Sequence, residues 1–161
     1  CLRASASEKD DAKMEAEAAE ALTRAKTSNA KLGKVLDAAA GYAVFAKVSK
    51  GGFGIGAAHG KGVLYVGGKV VGYCSLSQTT VGLQFGGKSY TEIIAFENAA
   101  AVESFKEGKC ELDAQATAVA VKSGAAVDAK YANGVAIYTL DQGGLMFEAS
   151  VGGQKFSYRA K

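Results

Sequence analysis

Proline and tryptophan are absent from this chain of 161 residues, histidine occurs once and cysteine three times. Without proline, tight turns depend on glycine, which supplies 21 residues and tolerates the left-handed backbone that many turns need. A structural zinc site needs about four clustered ligands, which His59, Cys1, Cys74 and Cys110 are too widely spaced to supply. The sequence therefore predicts no metal site, no cofactor and no histidine-based catalytic triad.

Acidic residues are missing from residues 41–91, although that segment holds five lysines. Residues 1–40 carry seven basic and seven acidic side chains, and residues 92–161 carry seven and nine. The formal net charge of +3 therefore originates in one glycine-rich third of the chain. Because lysines beside exposed backbone amides suit anions such as lipid headgroup phosphates, this segment predicts an anion-binding surface.

The chain also lacks an uninterrupted apolar run of about 18 residues, the length that a membrane-spanning helix needs. Its length suits one domain that buries roughly 70% of its unfolded surface. Hydrophobic residues at 48% and charged residues at 22% are typical of a globular domain. We expect a single domain over residues 7–161, preceded by a short tether over residues 1–6.

Cys1 is followed by Leu2, Arg3 and a small polar run, as in a mature bacterial lipoprotein. On this interpretation the Cys1 thiol is acylated, and the chain is exported and lipid-anchored to a bacterial membrane, on the periplasmic side or surface of the outer membrane. The alternative is a chain that begins at cysteine for another reason. In an oxidising compartment Cys74 and Cys110 could pair, but two separately buried thiols are the favoured interpretation.

Helical periodicity dominates the first part of the chain. Ser7 resembles the N-terminal cap of an alanine- and glutamate-rich helix that extends to about Lys26. Apolar residues then recur at three- and four-residue steps over residues 32–39, and Gly41 is expected to end this second helix in a left-handed conformation. We expect both helices to cover a sheet.

Beyond residue 42 the apolar period changes to two, which is typical of β-strands. Residues 93–96 alternate between two faces, and glycine pairs such as Gly67 with Gly68 separate the segments as hairpin turns do. A short helix capped by Asn98 and ended by Gly108 interrupts the strands. The expected fold is α+β, with a mainly antiparallel, curled or barrel-like sheet, N-terminal helices and one short inserted helix.

Two glycine motifs resemble nucleotide-binding loops. Residues 82–89, GLQFGGKS, satisfy the phosphate-loop pattern, and residues 52–57 loosely fit the dinucleotide pattern. A true phosphate loop opens a helix, whereas the residues after both motifs have the character of strands. The sequence therefore predicts no enzyme and no small-molecule substrate. A net charge of +3 without basic runs between the aromatic residues also argues against a nucleic-acid partner.

Four segments, in order, resemble the SYLF domain family: GYAVFAKVSKGGFGIGAAHGKGVLY (41–65), TTVGLQFGGKSYTEIIAF (79–96), the small-residue strand around 114–121, and VAIYTLDQGGLMFEASVGG (135–153). The resemblance implies a phosphoinositide- and membrane-binding domain, found in bacterial exported and eukaryotic endocytic proteins, with actin binding in fungal members. It also implies that a helix before the glycine-rich strand contacts lipid. That mechanism places headgroup contacts at Lys26, Lys31 and Lys34.

The residues themselves predict a different headgroup site, at the turn after a lysine-bearing strand, where flexible amides adjoin cations and an aromatic side chain. The candidate lipid-binding residues of this segment are Lys47, Lys50, Gly51, Gly52, Phe53, Lys61 and Lys69. The alternative is a solvated lysine face with Phe53 in the core. We therefore expect a noncatalytic domain whose partner is an anionic phospholipid membrane. The alternative function is a cell-envelope structural or protein-interaction domain, similar to an actin-binding domain, without headgroup affinity.

Overall fold

The computed structural model describes residues 2–51, 56–80, 90–108, 119–120, 131–141 and 154–161. The helices in these ranges are α1 Leu2–Ser28, α2 Ala30–Ala38 and α3 Ala99–Lys106. The strands are β1 Gly41–Gly51, β2 Gly56–Val66, β3 Lys69–Thr80, β4 Tyr90–Phe96, β5 Val119–Ala120, β6 Val135–Asp141 and β7 Lys155–Ala160.

The strands form one sheet in the order β5-β6-β4-β1-β2-β3-β7. Every neighbouring pair is antiparallel except β5 and β6, which are parallel. Over the described ranges the outermost strands β5 and β7 do not pair with each other, so the sheet is open and the expected barrel-like closure is wrong. The α+β class and the mainly antiparallel sheet are confirmed.

One face of the sheet, the α3 face, is packed with aromatic rings under α3. Phe105 of α3 is fully buried, and its ring centroid lies 5.0 Å from that of Phe96 and 5.4 Å from that of Phe156. Phe45 on β1 belongs to the same cluster, and its ring centroid lies 5.9 Å from that of Phe156. Because fully burying such a ring is worth about 1.5–3 kcal/mol, this cluster fixes α3 on the sheet.

The opposite face, the α1 face, lies under α1 and α2. α1 contributes Ala18, Ala21 and Ala25, which are at most 2% exposed, and α2 contributes Leu32 and Leu36. Alanines at three- and four-residue steps put small side chains on one stripe of the helix, so the helix axis lies close to the strands. The expectation that both N-terminal helices cover a sheet is confirmed.

Several element boundaries agree with the sequence signals. The Asn98 side chain accepts a hydrogen bond from the Ala101 amide at 2.9 Å and so caps α3, and Gly108 follows α3 with φ +73°. Gly67 and Gly68, with φ +62° and +79°, form the turn between β2 and β3. These three positive φ values are in the region that favours glycine.

Two expected boundaries are wrong. α1 begins at Leu2 rather than near Ser7. Gly41 is not left-handed but opens β1, where an added Cβ would lie 2.9 Å from the carbonyl oxygen of Tyr65. Close approach of the neighbouring strand, rather than a helix stop, therefore requires glycine at this position.

Candidate functional site

Lys47 and Lys61 lie directly opposite each other on β1 and β2, and both side chains are exposed. Both line a groove under the middle of α1. Like charges directly opposite in an antiparallel pair repel each other and destabilise the pairing. An anion that contacts both ammonium groups would remove this repulsion.

The groove between α1 and strands β1 to β3 has a volume of about 610 Å³. Its charged side chains are Asp10, Lys13, Glu17, Lys47 and Lys61, with His59 beside them. The three lysines exceed the two carboxylates by one charge, so the groove favours anions less strongly than the acid-free segment suggested. Its accessible apolar lining comes from the partly exposed Met14 and Ala46, whereas Ala18 and Val44 beside them are at most 1% exposed. A cationic groove with an apolar lining can hold both the charged and the hydrocarbon part of a ligand.

The hairpin that carries the lysine pair continues through Lys50 and Gly51 at the end of β1. Their Cα partners on β2 are Ala58 and Ala57, so their backbone belongs to the same hairpin as Lys47. Gly52 and Phe53 lie outside the described residues, and their predicted role stays a prediction.

Lys69 lies away from the groove. It pairs with Val66 beside the turn that joins β2 and β3, five positions along β2 from Lys61. At 3.3 Å per residue this separation is roughly 16 Å. The register therefore separates Lys69 from the opposed pair, although all three lysines belong to the same acid-free segment.

The lysines at the end of α1 and on α2, Lys26, Lys31 and Lys34, form a separate group that does not line the groove. Lys26 pairs with Asp37 at 3.8 Å, and its aliphatic chain packs against Gly33. Lys31 and Lys34 are exposed on α2, without an ion pair to any described side chain. These two cations are accessible to an anionic surface, whereas Lys26 is partly neutralised.

Polar contacts hold the first half of α1 on β3 and the C-terminal segment. Arg159 donates to Asp11 at 2.6 Å, Lys161 donates to Glu15 at 2.9 Å, and the Tyr73 hydroxyl donates to the same Glu15 oxygen at 3.1 Å. The Arg159 guanidinium also lies 4.8 Å from the centroid of the Tyr73 ring. Burial and the hydrogen bond to Glu15 raise the pKa of Tyr73 to about 12, so this hydroxyl stays a donor. These contacts position the α1 wall of the groove.

A buried polar cluster lies on the α3 face, and the sequence analysis did not predict it. Glu92 of β4 and Gln154 are both fully buried. Gln154 Nε2 donates to Glu92 Oε1 at 2.9 Å and to Gln78 Oε1 at 3.2 Å. Burial raises the pKa of Glu92 to about 7, although hydrogen bonds from Gln154 and Tyr90 act in the opposite direction. The sequence feature that could have indicated this cluster is the carboxylate of Glu92 inside the otherwise mostly apolar run YTEIIAF.

The two glycine motifs that resemble nucleotide-binding loops are followed by strands, as predicted. Residues 82–89 lie outside the described residues, but the element that follows them is the strand β4. Gly56 and Ala57 begin β2 rather than a helix. His59 is exposed beside the groove.

Cys74 is a buried free thiol on the α3 face, and burial raises its pKa. Cys1 and Cys110 lie outside the described residues. In the part of the chain that the structure describes, no three His, Cys, Asp or Glu side chains come together as metal ligands. None of the helices there has the length and hydropathy needed to cross a bilayer.

Comparison with known proteins identifies the family of the chain. The family model Ysc84, described as Las17-binding protein actin regulator, matches residues 77–161, more than half of the chain. Beta cell expansion factor A of Aeromonas veronii is 37% identical over 71 residues, a match that covers 44% of this chain and 27% of that relative. The chain therefore belongs to the Ysc84 family, the SYLF family that its strand segments resemble.

Proposed function

We propose that this domain is a noncatalytic module that binds anionic phospholipid headgroups in the groove between α1 and strands β1 to β3. The opposed pair of Lys47 and Lys61 carries the proposal. Their mutual repulsion destabilises the free protein, and a phosphate that contacts both replaces it with two charge-assisted hydrogen bonds. Lys13 adds a third cation from α1.

The apolar lining supports a lipid rather than a free anion as the ligand. Met14 and Ala46, which are partly exposed, line the same groove as the lysines. A phospholipid presents hydrocarbon directly beside its phosphate, so it contacts both kinds of lining at once. The exposed Lys31, Lys34 and Lys69 lie outside the groove, so they add a weaker, salt-screened attraction to an anionic surface than the groove lysines do.

Family membership supports binding rather than catalysis, since the family description names a binding protein and a regulator. Acylation of Cys1 and attachment to a bacterial membrane remain separate predictions. Headgroup binding in the groove would not require that anchor.

Two charge-matched double variants test the groove in sedimentation with vesicles of phosphatidylcholine and phosphatidylglycerol. Lys47→Gln with Lys61→Gln removes the opposed pair, and Lys34→Gln with Lys69→Gln removes the same charge outside the groove. At about 1 kcal/mol per lysine, we expect the groove variant to bind about 30-fold more weakly at low salt. We expect the control variant to lose clearly less affinity.

Equal losses in the two variants would show that net charge alone drives binding. Unchanged binding in both would remove the lysines, and with them the groove, from the mechanism. Neutral vesicles without phosphatidylglycerol provide the baseline for each variant.

A protein-interaction domain is the second candidate function, favoured by the description of the family as Las17-binding protein actin regulator. In that case the protein without an acyl group at Cys1 should ignore anionic vesicles and should co-sediment with actin filaments. Vesicle binding that depends on Lys47 and Lys61, without filament binding, would reject this candidate.

A further inference from the structure

We propose that residues 9–17 of α1 form an acidic lid over the lipid groove and that an anionic membrane displaces this lid, which rests on the headgroup binding proposed above. Two ion pairs, Asp11 with Arg159 and Glu15 with Lys161, tie the lid to the C-terminal segment. We call these two ion pairs the latch.

The sheet surface under the lid is basic. In the registers of β2, β3 and β7, Lys61 pairs with Ser75, and Ser75 pairs with Ser157. The row that begins with the two opposed lysines therefore extends to β7, where alternate residues share its face. The strands β1, β2, β3 and β7 contain no acidic residue. The cations of this surface, the basic face, are Lys47, Lys61, Lys155, Arg159 and Lys161.

The lid carries the opposite charge. Residues 9–17 contain four carboxylates and two lysines, a net charge of −2. Two of the carboxylates, Asp10 and Glu17, line the groove. The other two, Asp11 and Glu15, belong to the latch. The lid thus offers the basic face the same kind of negative charge that a headgroup phosphate would offer.

The lid is weakly attached to the sheet. None of its side chains is buried, and Ala18 is the first described residue of α1 that is. The latch cations Arg159 and Lys161 have side chains that are 57% and 55% exposed. Exposed ion pairs hold weakly, and salt screens them. The rest of α1 stays anchored through its buried alanines when the lid opens.

An open lid gives a membrane more positive charge to contact. Opening frees Arg159 and Lys161 from their carboxylates and removes Asp10 and Glu17 from the groove. An anionic surface therefore binds the open state more tightly and shifts the equilibrium toward it. The closed lid in turn weakens the apparent affinity, because only the open fraction of the protein binds fully.

Opening can be measured without lipid. The chain contains no tryptophan, so Met14→Trp, at a partly buried position of the lid, provides a single fluorescent reporter. In this background Asp11→Asn with Glu15→Gln removes the negative charges of the latch. Glu20→Gln with Glu97→Gln is the control, which removes the same charge at exposed positions outside the latch. At low salt we expect the latch variant to emit at longer wavelength than the control, because its tryptophan is exposed to water.

Sedimentation with vesicles of phosphatidylcholine and phosphatidylglycerol tests the effect on binding, in proteins that keep Met14. At low salt we expect the latch variant to bind about fivefold more tightly than the wild type, the factor by which two exposed ion pairs favour the closed state. The control variant has the same net charge and should gain clearly less.

The outcomes separate the lid from the groove. If the wild type binds anionic vesicles and the latch variant gains nothing, or gains no more than the control, the lid is rejected and the proposed function stands. If no variant binds, the proposed function is rejected and the lid with it. Equal emission of the latch variant and its control at low salt would also reject the lid. Should Met14→Trp fail to fold, amide hydrogen exchange of residues 9–17 in the latch variant gives the same test, since a helical segment released from the sheet loses protection.

Discussion

The two faces of the sheet hold their helices by different contacts. α3 is held by an aromatic ring, Phe105, between Phe96 and Phe156. α1 instead lies on small alanines and is tied at its first half by ion pairs of Asp11 with Arg159 and Glu15 with Lys161. Alanines bury less apolar area than phenylalanine, so α1 depends more on polar contacts that salt can screen. The face whose helix depends more on polar contacts is the one that carries the open groove.

The largest effect should come from breaking the aromatic contact. Phe105→Ala leaves a cavity between two buried rings, and we expect the free energy of unfolding to fall by about 3–5 kcal/mol. Urea unfolding measures this loss. Phe105→Leu, which keeps much of the volume, is the control and should lose clearly less. If Phe105→Ala lost under about 1 kcal/mol, α3 would not be the more firmly held helix.

The second prediction concerns the buried carboxylate on the same face. Burial raises the pKa of Glu92 from 4.5 to about 7. Between these pH values the folded protein keeps a proton that the unfolded chain releases. The contribution of the protonated Glu92 side chain to the stability of the folded protein is therefore complete below the pKa of the unfolded chain. It is lost as the pH rises through about 7.

The side chain at position 92 cannot ionise in Glu92→Gln, so this variant should not lose stability in this way as the pH rises. At about 1.4 kcal/mol per pKa unit, its free energy of unfolding relative to the wild type should rise by about 3 kcal/mol between pH 4 and pH 8. Urea unfolding of both proteins at a series of pH values measures this difference. Glu103→Gln, at an exposed position of α3, controls for the loss of one carboxyl group. Parallel pH profiles for Glu92→Gln and wild type would contradict the prediction.

The smallest effect should come from the α1 contacts. Asp11 and Arg159 form an ion pair at 2.6 Å with side chains that are 15% and 57% exposed. A double-mutant cycle with Asp11→Asn and Arg159→Gln should give a coupling of about 0.5–1 kcal/mol that decreases with salt. A coupling of zero would mean that the pair of Asp11 and Arg159 does not help to hold α1.

Much of the secondary structure followed from the sequence because its signals are local. Asn98 and Gly108 mark the ends of α3 through contacts within a few residues, and Gly67 with Gly68 specifies a turn. Ile93 and Ala95 face α1 while Ile94 and Phe96 face α3, as the alternation predicted. The length of α1 was underestimated because Ser7 resembles a cap but lies inside the helix.

The candidate site was predictable only in part. Composition identified an acid-free lysine segment, but the register decided that Lys47 meets Lys61 while Lys69 lies beside the β2–β3 turn, five positions further along β2. A register irregularity between Val44 and Lys47 changes which residues share a face, and such bulges have no clear sequence signal here. The α1 carboxylates of Asp10 and Glu17 entered the groove through helix packing, which the charge count along the chain did not anticipate.

Helix ends, one hairpin turn, the strand alternation and the excess of positive charge all follow from residues that are close together in the chain. The open sheet, the facing lysines and the buried Glu92 required the folded chain, because each depends on partners that are distant in sequence. Gln154 reaches Glu92 across 62 residues, and Arg159 reaches Asp11 across 148. Backbone preferences act over a few residues, whereas charge environment and burial are set by whichever distant segments the sheet brings together.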